Sequence, residues 1–110
     1  MYHEFYRGDI FWISEGRELG CEQIANRPGI IVSNDKNNQY SQTVEVVMLT
    51  RRPKNPLPTH VRINSAKYPS TALCEQITTV AKERLTRFIG SITYQEQERI
   101  DEALRVSIAV

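Results

Sequence analysis

Apolar positions fall in short clusters along most of the chain and take helical spacing only near its end. Gly8-Asp9 leads into Ile10-Phe11-Trp12-Ile13, a run of β-branched and aromatic residues that predicts a first strand. Ser14 to Asn26 is polar, holds two glycines and keeps no period, so it predicts a long loop. Pro28 opens the next predicted strand, Gly29 to Ser33, because a first ladder donor is dispensable. Asn34-Asp35 and Asn37-Asn38 then supply residues suited to turns. Thr43 to Thr50, TVEVVMLT, is the strongest strand, and its apolar run predicts cover on both faces for part of its length.

Three prolines in RRPKNPLP exclude regular structure from Arg51 to Pro58. THVRI then predicts a short alternating strand and TALCEQITTV a longer one, with one helical turn over Lys82 to Arg87 before a last strand, FIGSI. The end of the chain differs. Thr93-Tyr94-Gln95-Glu96 has the form of a capping box, and Ile100, Ala103, Leu104 and Ile108 follow on one helical face. Short strands with one terminal helix predict a mainly β domain of α+β type, a small barrel or strongly curved antiparallel sheet. At 110 residues the chain fits one domain over 1–110, and a second copy would enlarge a modest core.

Composition changes this picture little. Hydrophobic residues at 40% and charged residues at 25% suit a folded domain rather than a disordered one. The start, MYHEFYRGDIFWIS, lacks the basic-then-apolar form of a secretory signal. No stretch approaches the roughly 18 apolar residues of a membrane span. The expected location is therefore the reducing cytoplasm, which disfavours a disulfide between Cys21 and Cys74. A zinc site is disfavoured too, since there is no CxxC and both histidines, His3 and His60, lie far from the cysteines in sequence. No metal or cofactor is expected.

The tetrapeptide Cys-Glu-Gln-Ile occurs twice, at Cys21 to Ile24 and at Cys74 to Ile77. The surrounding sequences differ, one copy on a loop and the other on a strand, which excludes a duplicated module. Net charge is only +1, yet no acid occurs between Glu45 and Glu75, where Arg51, Arg52, Lys54, Arg62 and Lys67 all lie. That segment suits a phosphate backbone, and equally a solvated basic loop balanced by the acidic terminal helix. Arg27 ends the first loop just before a strand, where a planar guanidinium suits a phosphate or simply pairs with Glu22 at the surface. Thr50 ends the central strand with a hydroxyl, and Glu75 interrupts an apolar strand, facing either solvent or a groove that holds Arg27 or a ligand. There is no GxSxG, phosphate-cradling glycine loop, HExxH or dinucleotide fingerprint.

The order of these pieces resembles the MazF/PemK/Kid family of toxin endoribonucleases. The matching features are RGDIFW, EQIANRP, IIVSND, SQTVEVVMLT, Pro-Thr-His-Val, Leu-x-Glu-Gln-Ile and the EALRVSI helix. The resemblance covers nearly the whole chain, and it implies an SH3-like barrel that dimerises. It further implies metal-independent cleavage of single-stranded RNA at short sequences and silencing by a cognate antitoxin protein. On the same pattern, Arg27 and Thr50 match the catalytic and phosphate-binding positions, Glu22 the loop glutamate, and Glu75 an acid that some members use in proton transfer. Arg51, Arg52, Lys54, His60 and Gln76 are the expected RNA contacts. Two departures bear on the acid/base roles: Cys21 stands where some members carry histidine, and Leu73 where some carry arginine. The alternatives on the same barrel are a CcdB-type toxin that binds gyrase without cutting, and a degenerate nucleic-acid-binding module. An unrelated SH3-like adaptor is a third.

Overall fold

The computed structural model describes residues 4–14, 26–52 and 54–110. Its strands are β1 (Asp9–Ser14), β2 (Asn26–Ile31), β3 (Thr43–Thr50), β4 (His60–Ile63), β5 (Ser70–Ala81) and β6 (Leu85–Ser91). Helix α1 (Asp35–Tyr40) joins β2 to β3, a 3₁₀ turn (Lys82–Arg84) joins β5 to β6, and α2 (Tyr94–Ile108) ends the chain. The strands form one antiparallel sheet in the order β4-β5-β3-β2-β1-β6. The mainly β fold with a terminal helix is thus as the pattern predicts. Among the described residues, no helix is long and apolar enough to cross a membrane.

Both faces of the sheet are covered, which explains the continuous apolar run of β3. Val47 and Leu49 join Ile10, Ile30, Ile63 and Cys74 in one core, against which Ile100 and Ala103 of α2 are packed. Val44, Val46 and Met48 point the other way, into a second core with Phe11, Ile13, Ile31 and Leu85. Strand alternation separates the two sets residue by residue.

Four sequence expectations shift. β2 begins at Asn26, ahead of Pro28, which pairs with Trp12 of β1 beyond the last β2–β3 pair, Gly29 with Met48. With β3 gone on that side, a missing donor there breaks no ladder bond. The asparagine-rich turn is a short helix: the Asn34 side chain accepts from the Asn37 amide as its N-cap. β6 starts at Leu85, so the helical turn before it is shorter than the pattern suggests. Ile108 is 56% exposed because α2 outruns β4 and β5, the strands it packs on.

Two polar devices hold the curl. Gly8 has φ +92°, which glycine adopts without strain, and its amide donates to the Ile31 carbonyl while its carbonyl accepts from Ile92. Arg7 beside it donates to Asp101 of α2 at 2.5 Å and to the Val32 carbonyl at 3.3 Å. The second device is Glu96, buried at 3% exposure. It completes the capping box by accepting from the Thr93 amide, just after β6. Its carboxylate also accepts from the Asn64 amide at 2.7 Å and the Ser65 hydroxyl at 2.6 Å, just after β4. One carboxylate therefore ties together the two outermost strands of the sheet.

Desolvation alone would raise the Glu96 carboxyl, but the Ser65 hydroxyl and the Thr93 and Asn64 amides outweigh it and hold it below the ordinary glutamate value. On acidification the unfolded chain binds this proton first. The stabilisation is complete above the ordinary value of about 4.3 and is lost as pH falls through the lower folded value. Glu96→Gln should lower stability at neutral pH by about 1–3 kcal/mol, the cost of unmatched buried partners. In urea melts repeated from pH 7 downward, the variant should lose less stability than wild type below about pH 4. Parallel curves would remove Glu96 from this role.

Candidate active site

The sheet opens a gap where β2 and β3 part. Arg27 lies on β2 opposite Ile13 of β1, beyond the reach of β3 pairing, and Thr50 lies at the end of β3 opposite Thr71. Both line a pocket of about 410 Å³ together with Arg52, Lys54, Leu73 and Gln76. The Thr50 hydroxyl oxygen accepts from the Arg52 amide at 3.1 Å, which leaves its hydrogen available to donate. Arg27, Thr50 and Arg52 also line a larger adjoining cavity of about 680 Å³, walled by Trp12, Arg51, Lys67, Tyr68, Arg87 and Phe88. Among the described residues, six cations and no carboxylate line the two spaces. Such a lining concentrates anions.

Gln76 reaches this pocket because β5 bulges. Met48 pairs with Leu73 and its neighbour Val47 with Ile77, leaving Cys74, Glu75 and Gln76 without partners on β3. Bulges recur beside functional sites because they re-aim side chains. Here the Cys74 amide is taken by the Thr59 carbonyl, Cys74 is fully buried, and Glu75 and Gln76 project to different places.

Glu75 does not meet Arg27. It accepts from the Thr59 hydroxyl at 2.8 Å and lies 3.1 Å from His60 Nε2. The other His60 nitrogen faces the Asn55 carbonyl at 3.2 Å, so both ring bonds form together only in the imidazolium state. Desolvation pushes the Glu75 carboxyl up; the Thr59 hydroxyl, its own backbone amide and His60 together outweigh that and hold it below the ordinary value. Glu75 and His60 therefore brace the proline-rich segment before β4, one wall away from the anion pocket.

Of the sequence-predicted residues, Arg27, Thr50, Arg52, Lys54 and Gln76 share the smaller pocket, while Arg51 lines the larger cavity. Glu75 and His60 pair with each other outside both. Glu22 and Cys21 lie outside the described residues. Lys67 belongs to the acid-free basic segment, whereas Trp12, Tyr68 and Arg87 carry no motif of their own; the adjacent basic–aromatic pairs Lys67-Tyr68 and Arg87-Phe88 are the usable signal. Among the described residues there is no group of three or more histidine, cysteine or acidic side chains placed to hold a metal.

This geometry sits in a recognisable family. Residues 6–108 match the PemK-like, MazF-like toxins of type II toxin-antitoxin systems. The chain belongs to that family. The match sets the gyrase-binding and adaptor alternatives aside. Endoribonuclease EndoA of Bacillus subtilis (strain 168) is 37% identical over 109 residues, 94% of each protein. A solved mycobacterial endoribonuclease in complex with its cognate antitoxin is 25% identical, covers 96% of this chain and 95% of its own, and superposes with a TM-score of 0.81. MazF of Deinococcus radiodurans, solved with MazE, superposes with a TM-score of 0.84 at 16% identity and shares the fold. In this toxin the cysteine of the second CEQI copy is a core residue.

Burial, and then the charge of Glu75, pushes the Cys74 thiol up to about 12. In a Cys21→Ser background, Cys74 should therefore resist a thiol-specific reagent at pH 8 while folded and react fully in denaturant. Fast labelling of the folded protein would contradict its place in the core.

Proposed function

We propose that this toxin is an endoribonuclease that cleaves single-stranded RNA by attack of a 2′-hydroxyl on the adjacent phosphate, and that a cognate antitoxin protein silences it. The observation that carries this reading is the pocket shared by Arg27, Thr50, Arg52, Lys54 and Gln76, cationic and free of carboxylates among its described residues. The 2′-oxygen bonds to phosphorus, the 5′-oxygen departs, and the products are a 2′,3′-cyclic phosphate and a 5′-hydroxyl. Charge accumulates on the non-bridging oxygens of the pentacoordinate phosphate. Arg27 binds those oxygens with its planar fork, and the Thr50 hydroxyl donates to one of them, a preorganised stabilisation that strengthens as charge develops.

The base is assigned by what each carboxylate is doing. Glu75 is committed to Thr59 and His60 and held below the ordinary glutamate value, which makes it a poor proton acceptor. That favours Glu22 as the base and gives Glu75 the role of positioning the segment that carries Lys54. Arg51, Arg52 and Lys54 hold the strand's phosphates, Gln76 reads a base edge with its amide, and His60 keeps the 54–58 segment in place. No step calls for a metal. A homodimer and a cytoplasmic location, where the RNA substrate lies, complete the reading.

The test is incubation of the purified protein, in excess chelator, with a long single-stranded RNA, followed by mapping of the ends. Discrete cuts with cyclic phosphate and 5′-hydroxyl ends are expected. Arg27→Ala should reduce kcat about 10²–10³-fold, the usual loss for a group that stabilises developing charge. Thr50→Ala should cost about ten- to a hundredfold, one hydrogen bond to a charged group. Scattered cuts that survive Arg27→Ala would defeat the assignment.

A further inference from the structure

The larger cavity contains more than a phosphate site needs. Three cation–aromatic pairs line it, two of them through a guanidinium: Arg51 lies 4.1 Å from the centre of the Tyr68 ring, Arg87 lies 5.5 Å from that of Trp12, and the Lys67 ammonium lies 5.8 Å from Tyr68. The pairs come from different parts of the fold. Arg51 follows β3 and Tyr68 precedes β5, while Trp12 and Arg87 are register partners on β1 and β6. Tyr68 is 47% exposed, so its stack with Arg51 is open to a ligand. Lys67 and Arg52 line the same cavity, and among the described residues none of these four cations is in an ion pair. With no counter-charge among the described residues, both guanidinium–ring pairs remain able to take a ligand that is at once anionic and aromatic.

The geometry points to a second subsite in which one unpaired nucleobase of the RNA strand stacks on the Arg51–Tyr68 pair within this cavity. The inference deepens the RNA-cleaving reading and rests on it for the identity of the strand. Arg27, Thr50 and Arg52 line both spaces, so a base held here belongs to a nucleotide close to the scissile phosphate in the smaller pocket. A base offers a flat π-face that continues a guanidinium–ring stack, and stacking of this kind tolerates any base identity. An acidic protein segment would satisfy the cations but not the rings. The subsite would thus supply affinity and placement, leaving sequence choice to hydrogen-bonding groups such as Gln76.

Trp12 is the chain's only tryptophan and lines this cavity, so its emission reports occupancy directly. Three probes are titrated separately: a mixed-sequence 2′-O-methyl RNA nonamer, which lacks the attacking hydroxyl, an abasic nonamer of equal charge, and an acidic peptide. The base-bearing strand should quench Trp12 and bind about tenfold more tightly than the abasic one, in line with one stacked base. Tyr68→Ala should erase that difference, and Tyr68→Phe, which keeps the ring, should restore it. Equal affinity for both strands, an unaffected Tyr68→Ala variant, or a Trp12 response to the peptide alone would overturn the subsite. Those results would leave the mapped cuts and their dependence on Arg27 untouched, whereas absence of cleavage would defeat the underlying reading instead.

Discussion

A buried carboxylate that joins the two free edges of a sheet is the constraint on which this molecule depends. β4 and β6 stand at opposite ends of the strand order, yet the Asn64 amide after one and the Thr93 amide after the other both donate to Glu96. The same side chain caps α2, so closure of the curl and initiation of the helix are one event. The cavity that adjoins the proposed site is the space left inside this closure. Residues of β1 and β6 face the Ser65–Ser70 segment across it. Loss of the Glu96 bonds would therefore release Ser65, which lines this cavity, and with it the width of the space.

The central strand supports the closure from the other side. β3 is paired with β5 from Thr43 to Thr50 and with β2 over Val46–Met48, its middle is buried on both faces, and its last residue is Thr50 at the rim. Such a strand is the least mobile part of a small domain, because local opening would break two ladders and two cores together. Groups proposed for catalysis that stand at the ends of rigid elements keep their geometry without loops having to supply it. Arg27 is held in the same way, on the stretch of β2 that pairs with β1 alone.

The strongest local signals hold, while features set by distant partners, and the short Asn34-capped helix, are not legible in the pattern. The capping box at Thr93 to Glu96 depends on four consecutive residues, and both of its reciprocal bonds form. The double burial of TVEVVMLT followed from its unbroken apolar run. The start of β2 ahead of Pro28 has a tertiary cause, since the proline is harmless only where β3 no longer pairs. Similarly, Ile108 obeys the helical period but lies past the sheet that the period was meant to face. Arg27, Thr50, Arg52, Lys54 and Gln76 could be gathered from the resemblance in motif order. The direction of Glu75 could not, because it is set by a bulge whose pairing partner lies about thirty residues earlier in the chain.

That bulge makes chain length, and not only residue identity, a carrier of electrostatic information. Glu75 and Gln76 are neighbours of nearly equal size, one turned toward His60 and the other toward a pocket crowded with cations. The three bulge residues have three destinations: Cys74 enters the core, Glu75 meets His60 and Gln76 lines the cationic pocket. Removing any one of them would leave two residues for three places, so the core, the brace or the pocket would lose its side chain. Tolerance of substitution along CEQI therefore gives no measure of its tolerance of altered length.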